Sequence, residues 1–145
     1  MAALNCALDR QSSFSERSST VAVGAAVDFS LIDKWIPKKS QVAMVELFAT
    51  VVALRTFREK LAGSCSLLPV DSEPVQGALA KGYSAREDLC ELVGAFWNIA
   101  LELRVQLYIN RVPTDANPAD HPSRDRMQVG TSLGSKTLAP IFPDL

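Results

Sequence analysis

Three acidic residues stand in sequence surroundings that could give them a chemical role. Glu46 is the only charged residue in the apolar stretch VAMVELFATVVAL. Asp71 directly follows the apolar run CSLLPV, and Asp120 lies within the segment NPADHPSR. Hard divalent cations prefer oxygen ligands, and a cation offsets the cost of burying a carboxylate. The three residues are therefore candidate ligands of divalent metal ions.

Each of these residues also has an ordinary structural explanation. Glu46 could share a narrow solvated stripe of a helix with Thr50. Asp71 or Ser72 could cap the helix that is predicted to follow them. Asp120 could lie in the first turn of a helix, where its charge complements the helix dipole. Taken one at a time, the residues leave both explanations open.

The hydrophobic pattern predicts the elements that would position these residues. Three strands followed by alternating helices and strands are typical of a mixed sheet with helices on its faces. Pro69 is unfavourable within its predicted strand, because proline cannot donate to a neighbouring strand. We predict one domain over residues 1–124 and a loosely attached C-terminal extension over 125–145. The predicted strands span 1–9, 21–29, 31–36, 65–70 and 105–112, and the predicted helices span 41–61, 73–81 and 85–104.

Composition and charge limit the classes of function. The chain has 145 residues, which suits one domain, and its formal net charge is −1. Domains that bind nucleic acid non-specifically usually carry a basic excess, so this charge argues against tight binding by the domain alone. The longest apolar run is too short to span a bilayer, and the three scattered cysteines suit a reducing compartment. We therefore expect a soluble intracellular protein that does not contact a membrane.

Four segments of the chain resemble, in order, the ribonuclease H domains of retrotransposon reverse transcriptases. They are MVELFATVVALRTF, LLPVDSEPVQGALAKG, LVGAFW and INRVPTDANPADHPSR, and the likeness covers about residues 35–124. The family has an E-L-x-A helix, then a strand that ends in V-D-[NS] and is followed by a short helix and K-G. A closing V-P-x-x-x-N-x-A-D-x-x-S-R motif is the most specific of the three.

The resemblance implies a ribonuclease H-like α/β fold, with a mixed five-stranded sheet flanked by helices. It also implies an endoribonuclease that hydrolyses the RNA strand of an RNA–DNA hybrid. In such an enzyme clustered carboxylates bind two Mg²⁺ or Mn²⁺ ions, which activate water and stabilise the leaving oxygen. By motif, Glu46, Asp71 and Asp120 match the catalytic, metal-binding carboxylates of the family.

The family's first-strand aspartate has a poorer match in this chain. Asp9 is the best candidate for this fourth catalytic and metal-binding carboxylate, because Asp28 lies too close to Glu46 in the sequence. A reverse transcriptase domain of the same polyprotein is a candidate partner. Weaker candidates for substrate contacts are Ser72, Asn117 and Arg124.

Two functions from different classes follow. The first is a metal-dependent endoribonuclease derived from a retroelement. The alternative is a catalytically degenerate domain that keeps the fold and acts as a structural or protein-interaction module. The poor first-strand motif and the near-neutral charge favour the alternative, whereas the three later motifs favour the enzyme.

Overall fold

The structure is a computed structural model that describes residues 2–11, 19–27, 33–36, 41–113 and 139–143, the first two ranges by their backbone. Two strands come first along the chain, and pairs of helices then alternate with single strands. The strands are β1 (Ala2–Gln11), β2 (Ser19–Val27), β3 (Cys65–Val70) and β4 (Gln106–Arg111). The helices are α1 (Val42–Thr56), α2 (Arg58–Leu61), α3 (Glu73–Lys81) and α4 (Glu87–Glu102).

The described strands form one four-stranded sheet in the order β2-β1-β3-β4. β1 runs antiparallel to β2 along its length, and antiparallel to β3 over Asp9–Gln11. β3 and β4 run parallel, and Cys65 lies opposite Gln106. The parallel pair is joined through α3 and α4, as a crossover between parallel strands requires.

The predicted five-stranded sheet is therefore wrong for the part of the chain that is described. The predicted strand over 31–36 is the one that fails, because residues 33–36 form a turn. Trp35 is buried there against Phe48, with ring centroids 6.0 Å apart. The carbonyl of Ile36 accepts a hydrogen bond of 2.8 Å from Gln41 Nε2 instead of joining a sheet. This hydrogen bond ties the turn to Gln41, the N-cap residue of α1.

Other predicted elements agree closely with the structure. The predictions of a strand over 65–70 and of a helix over 73–81 are confirmed to the residue. α3 ends at Gly82, whose φ of 75° is the left-handed conformation that glycine adopts without strain. The predicted helix over 41–61 divides at Phe57 into α1 and α2.

Pro69 is accommodated by the way β3 is paired. Val112 donates a backbone hydrogen bond of 3.0 Å to the carbonyl of Val70, so Val70 faces β4. Backbone polar groups alternate sides along a strand, so the nitrogen of Pro69 faces the β1 side. The pairing of β1 with β3 reaches only to Leu67. Pro69 therefore lies beyond the part of β3 that pairs with β1, and its missing N–H costs the sheet no hydrogen bond.

The helices cover one face of the parallel pair. Ser66, Leu68 and Val70 are buried on that face, whereas Tyr108 is 63% exposed on the other. α1 packs against both β1 and α4, which explains why nearly all of its side chains are buried. A helix with apolar residues around most of its circumference needs neighbours on several sides.

Residues 139–143 return to α1. The backbone N–H of Ile141 donates a hydrogen bond of 2.9 Å to Thr56 Oγ1. The ring of Phe142 stacks on Phe48 with centroids 6.1 Å apart. These residues belong to the extension predicted over 125–145, and the contacts with α1 were not anticipated by the sequence pattern.

Candidate functional site

The candidate site lies where β3 and β4 end, which we call the carboxyl edge of the parallel pair. Asp71 follows β3 directly, and α3 begins two residues later at Glu73. Arg111, the last residue of β4, lies opposite Val70. Loops at the carboxyl ends of parallel strands are where α/β proteins commonly bind ligands.

Glu46 reaches this edge from α1. Its side chain is half-buried, and its carboxyl interacts with both Ser72 and Asp71. Burial raises the pKa of Glu46, hydrogen bonding from the Ser72 side chain lowers it, and the charge of Asp71 raises it, with a net increase above 4.5. Glu46 and Asp71 therefore lie close enough for their charges to interact, although most of α1, α2 and β3 separate them along the chain.

One oxygen of Glu46 has no partner. Oε2 is buried, and no hydrogen-bond donor reaches it within the described part of the chain. A buried carboxylate oxygen without a donor costs free energy, because the water that solvated it has not been replaced. An oxygen in this state is a suitable ligand for a cation.

The structure rules out the solvated-stripe explanation of Glu46. Thr50, one turn later in α1, is buried and donates its hydroxyl to the carbonyl of Leu47 at 2.7 Å. No solvated stripe therefore joins the two residues. The turn of α1 before Glu46 is more open, since Val42 is exposed, so the half-buried carboxylate of Glu46 lies at the border between the open start of α1 and its buried remainder.

The helix-cap explanation fails for Ser72. Ser72 occupies the N-cap position of α3 with an extended backbone (φ −87°, ψ 114°), but no side chain caps this helix. Its hydroxyl interacts with Glu46 instead. The side chain that sequence suggests as a cap is thus used between α1 and the end of β3.

The donor set at this edge suits a hard cation. Two adjacent carboxylates supply only oxygen ligands, and the unpartnered Oε2 of Glu46 is one of them. Mg²⁺ is typically held by one or two carboxylates and completes its octahedron with water and substrate phosphates. Glu46 and Asp71 fit that requirement. Among the side chains that the structure describes, no group of three or more His, Cys, Asp or Glu residues converges.

Asp9 is not brought to this pair by the strand register. Its backbone lies opposite Leu67 in β3 and Thr20 in β2. Leu67 precedes Asp71 by four positions, which corresponds to about 13 Å along a strand. The backbone of Asp9 is therefore set well back from the carboxyl edge.

Three predicted site residues lie outside the described residues, namely Asp120, Asn117 and Arg124. The same holds for Asp28, which the sequence analysis set aside.

Sequence reasoning missed an ion pair at the same edge. Arg111 Nη1 lies 3.5 Å from Glu73 Oε2, and both side chains are more than half exposed. The signal that could have found it is the parallel arrangement of β3 and β4, which end in step with each other. That arrangement puts the last residue of β4 beside the start of α3.

Comparison with protein-family models, with curated proteins and with solved structures gives no match to this chain. None of the helices in the described ranges has the length and apolar character needed to cross a membrane.

Proposed function

We propose that this chain is a metal-dependent endoribonuclease that cleaves the RNA strand of RNA–DNA hybrids. The observation that carries the proposal is the interaction between the charges of Glu46 and Asp71 at the carboxyl edge, together with a buried oxygen of Glu46 that has no hydrogen-bond donor among the described residues. The same two residues stand in the motifs M-V-E-L-F-A and V-D-S, which resemble those of ribonuclease H domains of retrotransposon reverse transcriptases.

The proposed chemistry assigns distinct tasks to the residues of this edge. Glu46 and Asp71 would hold Mg²⁺ or Mn²⁺ ions, with Asp120 as the further ligand that the resemblance implies. The strand register sets the backbone of Asp9, the fourth carboxylate implied by the resemblance, back from this pair. When bound, such ions lower the pKa of a water and stabilise the leaving oxygen of an in-line displacement. The Ser72 hydroxyl, which lowers the pKa of Glu46, would help to orient the Glu46 carboxyl. Burial keeps water away from one oxygen of Glu46, which would strengthen the attraction of that oxygen to a cation.

Cleavage of a labelled RNA–DNA hybrid tests the proposal. The isolated chain, incubated with Mn²⁺ at low salt, should cut the RNA strand, because few phosphate contacts survive high salt in a near-neutral domain. Glu46→Gln, Asp71→Asn and Asp120→Asn should each abolish cutting by removing a ligand charge. Glu59→Gln and Asp33→Asn are matched controls at exposed positions and should cut like the original chain. Cleavage that survives Asp71→Asn would refute the assignment.

A second candidate is a non-catalytic module for structure or protein interaction. The observation that favours it is the register of β1, which sets the backbone of Asp9 back from the Glu46–Asp71 pair. A metal pair that lacks a ligand would bind ions weakly and cleave poorly. Specific Mn²⁺ binding at Glu46 without any cleavage, even when the chain is fused to a hybrid-binding module, would select this candidate.

A further inference from the structure

Arg111 is rigidly placed at the carboxyl edge. Its Cα pairs with that of Val70, and the next residue, Val112, donates to the carbonyl of Val70 at 3.0 Å. The β3–β4 ladder therefore continues to the residue directly before Asp71. The sheet thus fixes the backbone of Arg111 at this edge, so no loop has to become ordered before its side chain can act there.

The only partner of Arg111 among the described ion pairs is a weak one. Nη1 lies 3.5 Å from Glu73 Oε2, and the side chains of the two residues are 55% and 76% exposed. Exposed ion pairs contribute little, since water competes for both partners. The guanidinium can therefore exchange Glu73 for another anion at little cost.

The acidic residues around Arg111 make such an exchange useful for the binding of a phosphate. Glu46, Asp71 and Glu73 are all acidic, so the edge would repel the phosphates of an approaching nucleic acid. Arginine presents a planar fork of donors that matches phosphate oxygens, and contacts of this kind release counterions. A cation at the rim of an acidic site offsets the repulsion where the substrate must enter.

We propose that Arg111 contacts a backbone phosphate of the bound nucleic acid next to the Glu46–Asp71 pair, and that Glu73 competes with this phosphate for the guanidinium. The inference rests on the proposed function, because the phosphate belongs to the strand held at that site. Arg111 acts in this scheme as a substrate-positioning residue, and Glu73 limits the affinity for nucleic acid.

Binding of a fluorescein-labelled RNA–DNA hybrid to the full chain in Ca²⁺ tests this arrangement. Arg111→Gln should weaken binding about tenfold at low salt, the size expected for one charge-assisted contact. The slope of log affinity against log salt should fall by about 0.9, the value for one lost phosphate contact. Glu73→Gln should do the opposite and tighten binding, because the competing carboxylate is gone.

Matched controls come from α2, which lies before the start of β3 and away from the carboxyl edge. Arg58 and Glu59 are exposed there. Arg58→Gln should therefore leave the hybrid affinity much closer to that of the original chain, and Glu59→Gln should not tighten binding. The thermal unfolding midpoints of Arg111→Gln and Glu73→Gln should stay near that of the original chain, since an exposed pair adds little stability.

The outcomes separate this inference from the proposed function. If the original chain binds and cleaves the hybrid but Arg111→Gln and Arg58→Gln behave alike, the role of Arg111 is overturned and the enzyme stands. A Glu73→Gln variant that binds more weakly than the original chain also overturns it. If the original chain binds no hybrid at low salt, the proposed function fails and takes this inference with it.

Discussion

Glu46 and Asp88 are both carboxylates near the start of a helix, and their surroundings are opposite. Asp88 lies in the first turn of α4 and is buried. Its two oxygens accept hydrogen bonds from Arg86 Nε and Nη2 at 3.1 and 2.7 Å, and Oδ1 also accepts from the N–H of Leu89 at 2.8 Å. Glu46 has an acidic neighbour, Asp71, and an oxygen with no donor in the described residues.

The pKa values of the two groups shift in opposite directions. Burial raises the pKa of Asp88, but hydrogen bonds from Arg86, Leu89 and Ile36, together with the charge of Arg86, outweigh burial and hold it below 3.8. For Glu46 burial dominates, and its pKa lies above 4.5. The charge of Asp88 is thus paired with Arg86, whereas no cation among the described residues is paired with the charge of Glu46. The comparison indicates that Asp88 stabilises the structure and that Glu46 costs stability.

The largest effect on stability should come from Asp88→Ala. The substitution leaves the Arg86 guanidinium without its forked partner and removes the acceptor from the start of α4. We expect a loss of about 2–3 kcal/mol in the free energy of unfolding. Urea denaturation would measure this loss. The control is Glu87→Ala, an exposed neighbour in the same turn, and an equal loss in both variants would show that Asp88 is not special.

The second largest effect should come from divalent metal, whose influence on thermal stability should depend on Glu46 and not on the region of Asp88. An ion that binds only the folded chain at ten times its Kd adds about 1.4 kcal/mol to the free energy of unfolding. Mn²⁺ should therefore raise the thermal unfolding midpoint of the original chain and of Glu87→Ala. Glu46→Gln should lose the increase. An increase of full size in Glu46→Gln would mean that the ion binds elsewhere.

Without metal, Glu46→Gln should stabilise the chain at neutral pH by up to about 1 kcal/mol, since a neutral amide is less costly to bury beside Asp71. A raised pKa contributes stability below the unfolded value, and that contribution is lost as pH rises through the folded value. The advantage of Glu46→Gln should therefore be absent at acid pH and grow as pH rises above 4.5.

Asp88 provides the opposite pH dependence. Because its pKa is lowered on folding, its contribution is present above 3.8 and is lost as pH falls through the folded value. The stability difference between the original chain and Asp88→Asn should therefore shrink in acid. Denaturation curves across this pH range would give the free energy of unfolding of Glu46→Gln and of Asp88→Asn, each relative to the original chain. The comparison would be contradicted if these two relative values changed with pH in the same direction.

The smallest effect should come from Ser72→Ala. Removal of a serine that caps a helix typically costs about 1 kcal/mol. The hydroxyl of Ser72 does not cap α3, so the substitution should change the free energy of unfolding by less than about 0.5 kcal/mol. A loss of the full capping value would show that the hydroxyl serves α3 after all.

Sequence predicted best where local chemistry decides the structure. β3 and α3 were predicted to the residue, because an apolar run, the acidic start of a helix and Gly82 mark their limits. The strand predicted over 31–36 failed because the packing of Trp35 on Phe48 is a tertiary contact that no local pattern records. The helix predicted over 41–61 divides at Phe57, whose backbone (φ −102°, ψ 18°) leaves the helical conformation.

The candidate site was predictable only in part. Glu46 stood out as the single charge in an apolar helix, yet its proximity to Asp71 depends on how α1 lies against the end of β3. The resemblance to a family suggested that proximity, whereas composition and spacing could not. The pairing of Arg111 with Glu73 needed the register of two parallel strands, which is a property of the assembled sheet.

The contact of residues 139–143 with α1 has a consequence for biosynthesis. The hydrogen bond between Ile141 and Thr56 joins residues 85 positions apart. At about 5–20 residues per second, a ribosome needs about 4 to 17 s to add that length after Thr56 has been made. Phe48 therefore lacks the stacked ring of Phe142 until at least 94 further residues have been added after it. During that interval a chaperone that recognises exposed aromatic surface has its best opportunity to bind the nascent chain.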